Sequence, residues 1–241
     1  MLSLVRRPIF SSASFLPSDI ADLVLWLEAD LLSLNDNDAV GTWGDSSGTG
    51  HDVTQGTATK KPTFKTNIVN GLPVVRFDGT NDLLSSGLVN FTNATATIFI
   101  VCTGSSTANG DALVVDAADG NTFYEMRVDS TSQLAFRAVN TLGTTTEDTQ
   151  SQTGTFMVMG GVRGTSSVTA YINGVTNSSA TPSGSQKTGN SKFQIGEFGL
   201  GFQFFGGDIA EVLFYNNDIG TTNRQAVEDY LGAKYAITIT H

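Results

Sequence analysis

The 241-residue sequence has one cysteine, two histidines and five prolines, and only 15% of its residues are charged. A single cysteine cannot form an internal disulfide, and Cys102 ends the apolar run Ile98–Cys102, so we expect a buried thiol that packs as a small hydrophobic side chain. No apolar run approaches the roughly 18–20 residues that span a bilayer, and the sequence therefore predicts no membrane partner.

Basic residues are also scarce, with 13 Lys and Arg against 23 Asp and Glu and a net charge of −10. Nucleic-acid binding draws its affinity from Lys and Arg that displace counterions, so the charge argues against a DNA or RNA partner. The chain is instead rich in threonine (31), glycine (26) and serine (22). A polar surface made of hydroxyl groups rather than charges is typical of an all-β domain.

Short apolar segments separated by Gly-, Asn-, Ser- and Thr-rich stretches run through the chain, and the clearest alternation begins at Leu23, Leu25 and Leu27. Such spacing predicts an antiparallel sandwich or barrel. Asn173-Gly174 supplies the two residues of a type I′ hairpin turn. The predicted strands are Leu23–Glu28, Val74–Phe77, Ala96–Cys102, Ala112–Asp116, Phe123–Val128, Leu134–Val139, Phe156–Val162, Val168–Ile172, Lys192–Ile195 and Asp208–Tyr215.

The apolar period changes near the end of the chain. After Gly220, the spacing of Val227, Tyr230, Leu231 and Tyr235 predicts one amphipathic helix. Thr221 or Thr222 is the expected N-cap, and Lys234 is placed to interact with the C-terminal end of the helix dipole.

The first 18 residues contain several serines and no acidic residue. This composition is that of an organelle transit peptide, an unstructured terminus or a docking arm, and we favour a docking arm over residues 1–18 followed by a domain over residues 19–241. Pro8 would cut short an amphipathic targeting helix. The expected partner-binding residues of the arm are Leu2, Leu4, Val5, Arg6, Arg7, Ile9 and Phe10.

Six segments of the chain follow one another in a recognisable order. They are Leu23–Asp30, Thr42–Asp52, Gly71–Asp82, Tyr171–Gly174, Phe205–Tyr215 and Arg224–Tyr235. Taken together they resemble laminin-G-like domains of bacteria and tailed phages, which belong to the concanavalin A-like superfamily. The resemblance covers residues 20–237 and implies an antiparallel jelly-roll β-sandwich with one C-terminal helix. That superfamily includes lectins, glycosidases, adhesion modules and structural domains, so it does not by itself specify a function.

The resemblance also implies an alternative role for the turn Phe77–Asp82. The chemistry of the turn itself is structural, because Gly79 can adopt positive φ and aspartate side chains can bond the local backbone. Relatives sometimes hold an ion near this turn, and the oxygen ligands of a calcium site would then be Asp78, Asp82, Asp208 and Glu211. We otherwise expect no cofactor.

The sequence predicts no enzyme activity. Glycosidases of this fold carry Glu-x-Asp-x-x-Glu on one strand, and the nearest match, Glu28-Ala29-Asp30-Leu31-Leu32-Ser33, lacks the last carboxylate. His51 lies in a Gly- and Ser-rich loop and His241 is the last residue, so neither suits a catalytic triad.

Aromatic residues between glycines leave sugar binding open. Phe198 and Phe202 would contact either a glycan or another subunit, whereas Phe205 is expected in the core. The architecture of a basic arm and one jelly roll resembles virion proteins of tailed phages. We therefore expect a structural virion protein, either a capsid decoration or a head-fibre protein, that is made in the host cytoplasm and lies on the particle surface. Its expected partner is the major capsid protein or another virion protein. The expected homo-oligomer is a trimer. The alternatives are a module of a phage tail that binds a surface glycan or receptor, and a bacterial adhesion domain.

Overall fold

The chain forms short β-strands and one C-terminal helix in the computed structural model, which describes residues 15–104, 110–117, 122–128, 134–138, 144–147, 154–181, 189–198 and 203–241. In chain order the strands are β1 (Leu23–Glu28), β2 (Thr42–Trp43), β3 (Val53–Thr54), β4 (Thr63–Val69), β5 (Leu72–Asp78), β6 (Leu84–Phe91), β7 (Ala96–Gly104), β8 (Gly110–Ala117), β9 (Thr122–Val128), β10 (Leu134–Ala138), β11 (Thr144–Glu147), β12 (Met157–Arg163), β13 (Val168–Ile172), β14 (Val175–Ala180), β15 (Gly189–Ile195), β16 (Glu197–Phe198), β17 (Gln203–Phe204) and β18 (Gly206–Tyr215). Helix α1 (Gly220–Tyr235) follows, and short 3-10 turns lie at Pro17–Asp19, Ala29–Leu31 and Ala58–Lys60.

The described strands pair in two sheets. Sheet A has the order β14-β13-β12-β7-β18-β5-β4, and β1 also pairs with β18. Sheet B has the order β11-β10-β9-β8-β15-β6-β3-β2, with β16 and β17 attached beside β8. The strand pairings are antiparallel except that of β17 with β8. This arrangement confirms the predicted all-β sandwich with one C-terminal helix.

Two apolar layers hold the sandwich together. The first lies between the sheets and is formed by inward-facing side chains of both sheets, among them Leu25, Ile98 and Phe193. At its centre the ring of Phe214 meets those of Phe91 and Phe193 at centroid distances of 5.2 Å. Cys102 is fully buried in this layer as predicted, and burial raises the pKa of its thiol to about 12.

The second layer lies between sheet A and α1. Val227 and Leu231 of the helix pack with sheet residues such as Phe99 and Leu213. A central strand of sheet A therefore buries both of its faces, and β18 reads as an almost continuous apolar run for that reason. Within the described residues, no helix is long and apolar enough to cross a membrane.

The predicted hairpin is confirmed, because Asn173 and Gly174 adopt φ values of 49° and 85° between β13 and β14. The predicted helix is also present, but neither Thr221 nor Thr222 caps it. Gly220 begins the helix with φ of 76°, and its N–H donates to the Asp218 carboxylate at 3.0 Å. Ile219 stands at the N-cap position instead, and no side chain makes a capping hydrogen bond there.

Candidate functional site

The N-terminal segment enters the domain at a fixed point beside α1. The Tyr215 hydroxyl donates to the Pro17 carbonyl at 2.9 Å, and the Phe15 ring meets Tyr230 edge-on at 6.4 Å. The Leu16 N–H donates to the Asp19 carboxylate at 2.9 Å, which closes the turn. Residues 15–18, which the sequence assigned to the arm, therefore pack on the domain.

The residues predicted to bind a partner, Leu2, Leu4, Val5, Arg6, Arg7, Ile9 and Phe10, lie outside the described part of the chain. A shallow groove of about 570 Å³ opens at the point where this segment joins the domain. Its walls are largely apolar, and it is lined by Phe15, Ala226, Asp229, Tyr230, Ala233 and Lys234.

A buried ionic cluster lies under the same end of α1. The Lys234 ammonium is 2.8 Å from Glu211, 2.9 Å from Glu28 and 3.0 Å from Asp30. Glu211 is fully buried, and its two carboxylate oxygens accept hydrogen bonds from Trp26 Nε1 and the Tyr235 hydroxyl, each at 2.7 Å. We call Glu28, Asp30, Glu211 and Lys234 the lysine cluster.

Opposing effects set the protonation states in the lysine cluster. Burial raises the pKa of Glu211, and Lys234, Trp26 and Tyr235 oppose that rise by favouring the charged carboxylate. Burial alone would lower the pKa of Lys234, but Glu211 and Glu28 raise it well above its ordinary value. The ammonium therefore remains charged across the physiological range and faces the three carboxyl groups of the cluster.

The residues predicted to bind calcium do not come together as a set. Among the described residues, the acidic group whose ligand atoms lie within 4.8 Å of one another is Glu28, Asp30 and Glu211, and the Lys234 ammonium lies close to all three. Asp208 is instead held by Arg76 through two hydrogen bonds of 2.6 and 2.8 Å. Glu211 is thus paired with Lys234, and Asp208 is paired with Arg76.

Asp78 and Asp82 form the structural turn that the sequence predicted. Gly79 has a φ of 73°, the Asp78 carboxylate accepts from the N–H groups of Thr80 and Asn81, and the Asp82 carboxylate accepts from the Asp78 N–H. Burial and the neighbouring Asp78 charge raise the pKa of Asp82 to about 6, against a hydrogen bond that lowers it.

The aromatic predictions have separate outcomes. Phe205 is buried in the core against Phe77, with ring centroids 6.0 Å apart, as expected. The backbone of Phe198 belongs to β16, but its side chain and the whole of Phe202 lie outside the described residues. A glycan or subunit contact at these two positions stays a prediction.

A second cleft, which the sequence did not suggest, lies between the β13–β14 hairpin and the segment after α1. It has a volume of about 330 Å³ and is walled on one side by Thr238 and Thr240. The hairpin supplies the other wall through Ile172, Asn173, Val175, Thr176 and Asn177. We call it the hairpin cleft.

Sequence reasoning missed the lysine cluster because its members are far apart in the chain. Glu28 and Glu211 come from β1 and β18, and register places them opposite each other. The available signal was a carboxylate directly beside apolar residues in each of two strands, since a charge at such a position needs a partner.

Two packed antiparallel sheets with a helix on one outer face define a lectin-like β-sandwich. A family model described as the concanavalin A-like lectin/glucanases superfamily, in its laminin-G-like form, matches residues 78–221, which is more than half of the chain. The chain belongs to this family. A search of curated proteins found no match.

Several solved structures share the fold at low sequence identity. Domain 4 of AbnA, an extracellular arabinanase from Geobacillus stearothermophilus, in complex with arabinotriose, has a TM-score of 0.62 and 16% identity over 85% of this chain and 97% of that domain. The botulinum neurotoxin serotype D binding domain has a TM-score of 0.64 and 11% identity over 89% of this chain and 52% of that one. Trypanosoma rangeli sialidase in complex with sialic acid has a TM-score of 0.61 and 15% identity over 91% of this chain and 34% of that one. The chain thus spans about half of the toxin domain and a third of the sialidase, and these likenesses show the fold alone.

Proposed function

We propose that this chain is a non-catalytic structural protein of a phage particle, a capsid decoration or head-fibre protein that attaches to the major capsid protein through its N-terminal segment. The observation that carries this proposal is the fixed entry of that segment into the domain. Pro17 is held by Tyr215, and Phe15 packs on Tyr230 of the helix. A pulling force on the residues before Phe15 would therefore be transmitted directly to strand β18 and helix α1.

The chemistry of the segment suits a protein partner. Arg6 and Arg7 can pair with acidic groups of a shell, while Leu4, Ile9 and Phe10 offer apolar contacts. The groove beside Phe15 would extend the contact onto the domain itself, and the exposed carboxylate of Asp229 would lie at its edge. Repetition over a symmetric shell, with the chain as a trimer at three-fold positions, would make a modest affinity per copy sufficient.

Charge reversal tests the attachment. We expect the double variant Arg6→Glu/Arg7→Glu to lose binding to particles grown without the gene for this protein, as measured by co-sedimentation of added purified protein. The matched control is Lys60→Glu/Lys192→Glu, which makes the same charge change at two exposed positions of the domain. Normal coating by the arginine variant, or equal loss in both variants, would refute attachment through the segment.

Carbohydrate binding is a second candidate. The arabinanase domain of similar fold is described in complex with arabinotriose, and 97% of its length is matched. The described surface of this chain also contains the hairpin cleft, which is lined by hydroxyl and amide groups. A glycan array read with and without EDTA tests this candidate. A hit that EDTA leaves unchanged supports it, a hit that EDTA removes restores the calcium hypothesis, and no hit refutes it.

A further inference from the structure

We propose that residues 1–14 of the free protein fold back onto their own domain and place Ile9 and Phe10 in the groove beside Phe15. The contact forms before the chain meets any partner, so it goes beyond the proposed attachment. We call this surface the helix groove, and it is lined by Phe15, Ala226, Asp229, Tyr230, Ala233 and Lys234.

The helix groove is a second apolar face of α1. Val227 and Leu231 pack against sheet A. Ala226, Tyr230 and Ala233 follow each other at spacings of four and three residues, so they line up on a neighbouring face of the helix. Two small side chains on either side of a large ring leave a depression of about 570 Å³, which is within the roughly 300–1,000 Å³ of small-ligand pockets. Covering it removes apolar surface from water, which favours an apolar occupant.

The N-terminal segment begins at the rim of the helix groove. Phe15 lines the groove and is bonded directly to residue 14. Its position is fixed, because its ring packs edge-on against Tyr230 at 6.4 Å and the Pro17 carbonyl is held by Tyr215. A short tether of this kind gives an effective concentration of about 1 mM, so even a millimolar intrinsic affinity would keep about half of the chains closed. The tether favours the chain's own segment over that of a second copy.

The sequence of the segment matches the length of the groove. Ile9 and Phe10 are separated from Phe15 by the four small residues 11–14. Four residues span up to about 14 Å when extended, and Ala226 and Ala233 are about 10 Å apart along the helix axis. Ile9 and Phe10 can therefore reach either end of the helix groove.

Charge favours the same contact. Residues 1–14 contain Arg6 and Arg7 and no acidic residue, so the net charge of −10 leaves −12 for residues 15–241. The Lys234 ammonium at the groove already faces the three carboxyl groups of the lysine cluster. Asp229, which also lines the groove, has a side chain that is 66% exposed. Long-range attraction therefore draws the arginines towards the domain, and Asp229 offers them a partner at the groove.

Closure has a consequence for the proposed attachment. A segment that lies in the helix groove covers its apolar side chains, and a capsid would compete with the groove for Ile9 and Phe10. The affinity measured for particles would be lowered by the closed fraction, which is about twofold when half of the chains are closed.

Disulfide trapping tests the contact in the full-length chain. Phe10→Cys/Ala226→Cys should form an intramolecular disulfide under mild oxidation at low protein concentration, seen as a monomer that has lost two hydrogen atoms in intact-mass spectrometry. The native Cys102 is fully buried, so it does not compete. The matched control is Phe10→Cys/Asn190→Cys, whose second cysteine is exposed on sheet B, whereas α1 packs on sheet A. We expect trapping at α1 to be at least about tenfold faster than in the control.

Filling the helix groove should stop the trapping. Ala233→Arg, added to Phe10→Cys/Ala226→Cys, places a long charged side chain in the groove and should slow trapping to the control rate. Thr222→Arg adds the same charge at an exposed position of α1 outside the groove and should change the rate by no more than about twofold. Melting temperatures of the reduced proteins identify the folded variants, and Ala233→Cys replaces Ala226→Cys if the latter variant is unstable.

The outcomes separate this inference from the proposed attachment. Equal trapping rates for the α1 and sheet B pairs, or fast trapping that Ala233→Arg leaves unchanged, overturn the fold-back. Disulfide-linked dimers in place of monomers also overturn it, because they assign the groove to the segment of a second copy. Trapping requires no particle, so each of these results leaves attachment to the charge-reversal experiment. Fast monomeric trapping that Ala233→Arg removes supports the fold-back, whether or not the arginine variant still coats particles.

Discussion

Removing the Lys234 ammonium by Lys234→Met should strongly destabilise the protein. The substitution keeps an apolar stem of similar length but leaves Glu211, which is fully buried, without the cation at 2.8 Å. Removal of one member of a buried ion pair typically costs about 3–5 kcal/mol. At roughly 2–4 °C per kcal/mol for a chain of this size, the melting temperature should fall by about 6–20 °C.

The pH dependence of this variant gives a sharper signature. Without the cation, burial and the carboxylates of Glu28 and Asp30 should raise the folded-state pKa of Glu211 further above its unfolded value. The folded state then binds more protons than the unfolded state between these two pKa values, so stability is lost as pH rises through that window. The variant should therefore regain part of its stability when the pH is lowered from 7 towards 5.

Urea denaturation at pH 5 and pH 7 measures both effects. Lys60→Met is the matched control, because Lys60 is exposed and has no ion pair among the described contacts. Adding Glu211→Gln to Lys234→Met should recover stability, since it removes the unbalanced buried charge. This account of the lysine cluster would be refuted if the free energy of unfolding of Lys234→Met at pH 7 lay within about 1 kcal/mol of the wild-type value. It would also be refuted if the variant were destabilised equally at pH 5 and pH 7.

Two further predictions concern the turn and the core. The folded state holds the pKa of Asp82 at about 6, above its value in the unfolded chain, so it favours the protonated form. The wild-type protein should therefore lose stability from pH 4 to pH 6 relative to Asp82→Asn. A difference in melting temperature between the two proteins that stays constant over this range would contradict the prediction. Gly161→Ala should cost about 1–3 kcal/mol in urea denaturation, because its Cβ would lie 2.6 Å from the Phe136 ring, whereas Gly87→Ala, which meets nothing within 4 Å, serves as control.

The parts of the fold that could be predicted are those specified by local pattern. Alternating apolar residues identified β1, continuous apolar runs identified β7 and β18, and Asn173-Gly174 identified the hairpin turn. Strands such as β14 (Val175–Ala180) were missed because they are polar and lie at a sheet edge, where little burial constrains the sequence. The pattern of apolar residues therefore predicts which segments are buried, but it predicts which strands pair with each other only indirectly.

The candidate sites depended on long-range register that no local pattern contains. Asp208 and Glu211 were chosen as oxygen ligands for calcium, but in the folded chain they face Arg76 and Lys234. The carboxylates could be selected from the sequence, whereas the cations that face them could not.

The pairing of β1 with β18 also constrains the order of folding. Leu27 of β1 is the register partner of Val212 of β18. In sheet A, β18 lies between β7 on one side and β5 on the other, and both of these strands come earlier in the chain. During synthesis the middle of sheet A therefore stays open until residues 206–215 have left the ribosome. Contacts of such long sequence separation make folding slow, and the half-built sheet would depend on chaperones or rapid completion to avoid aggregation.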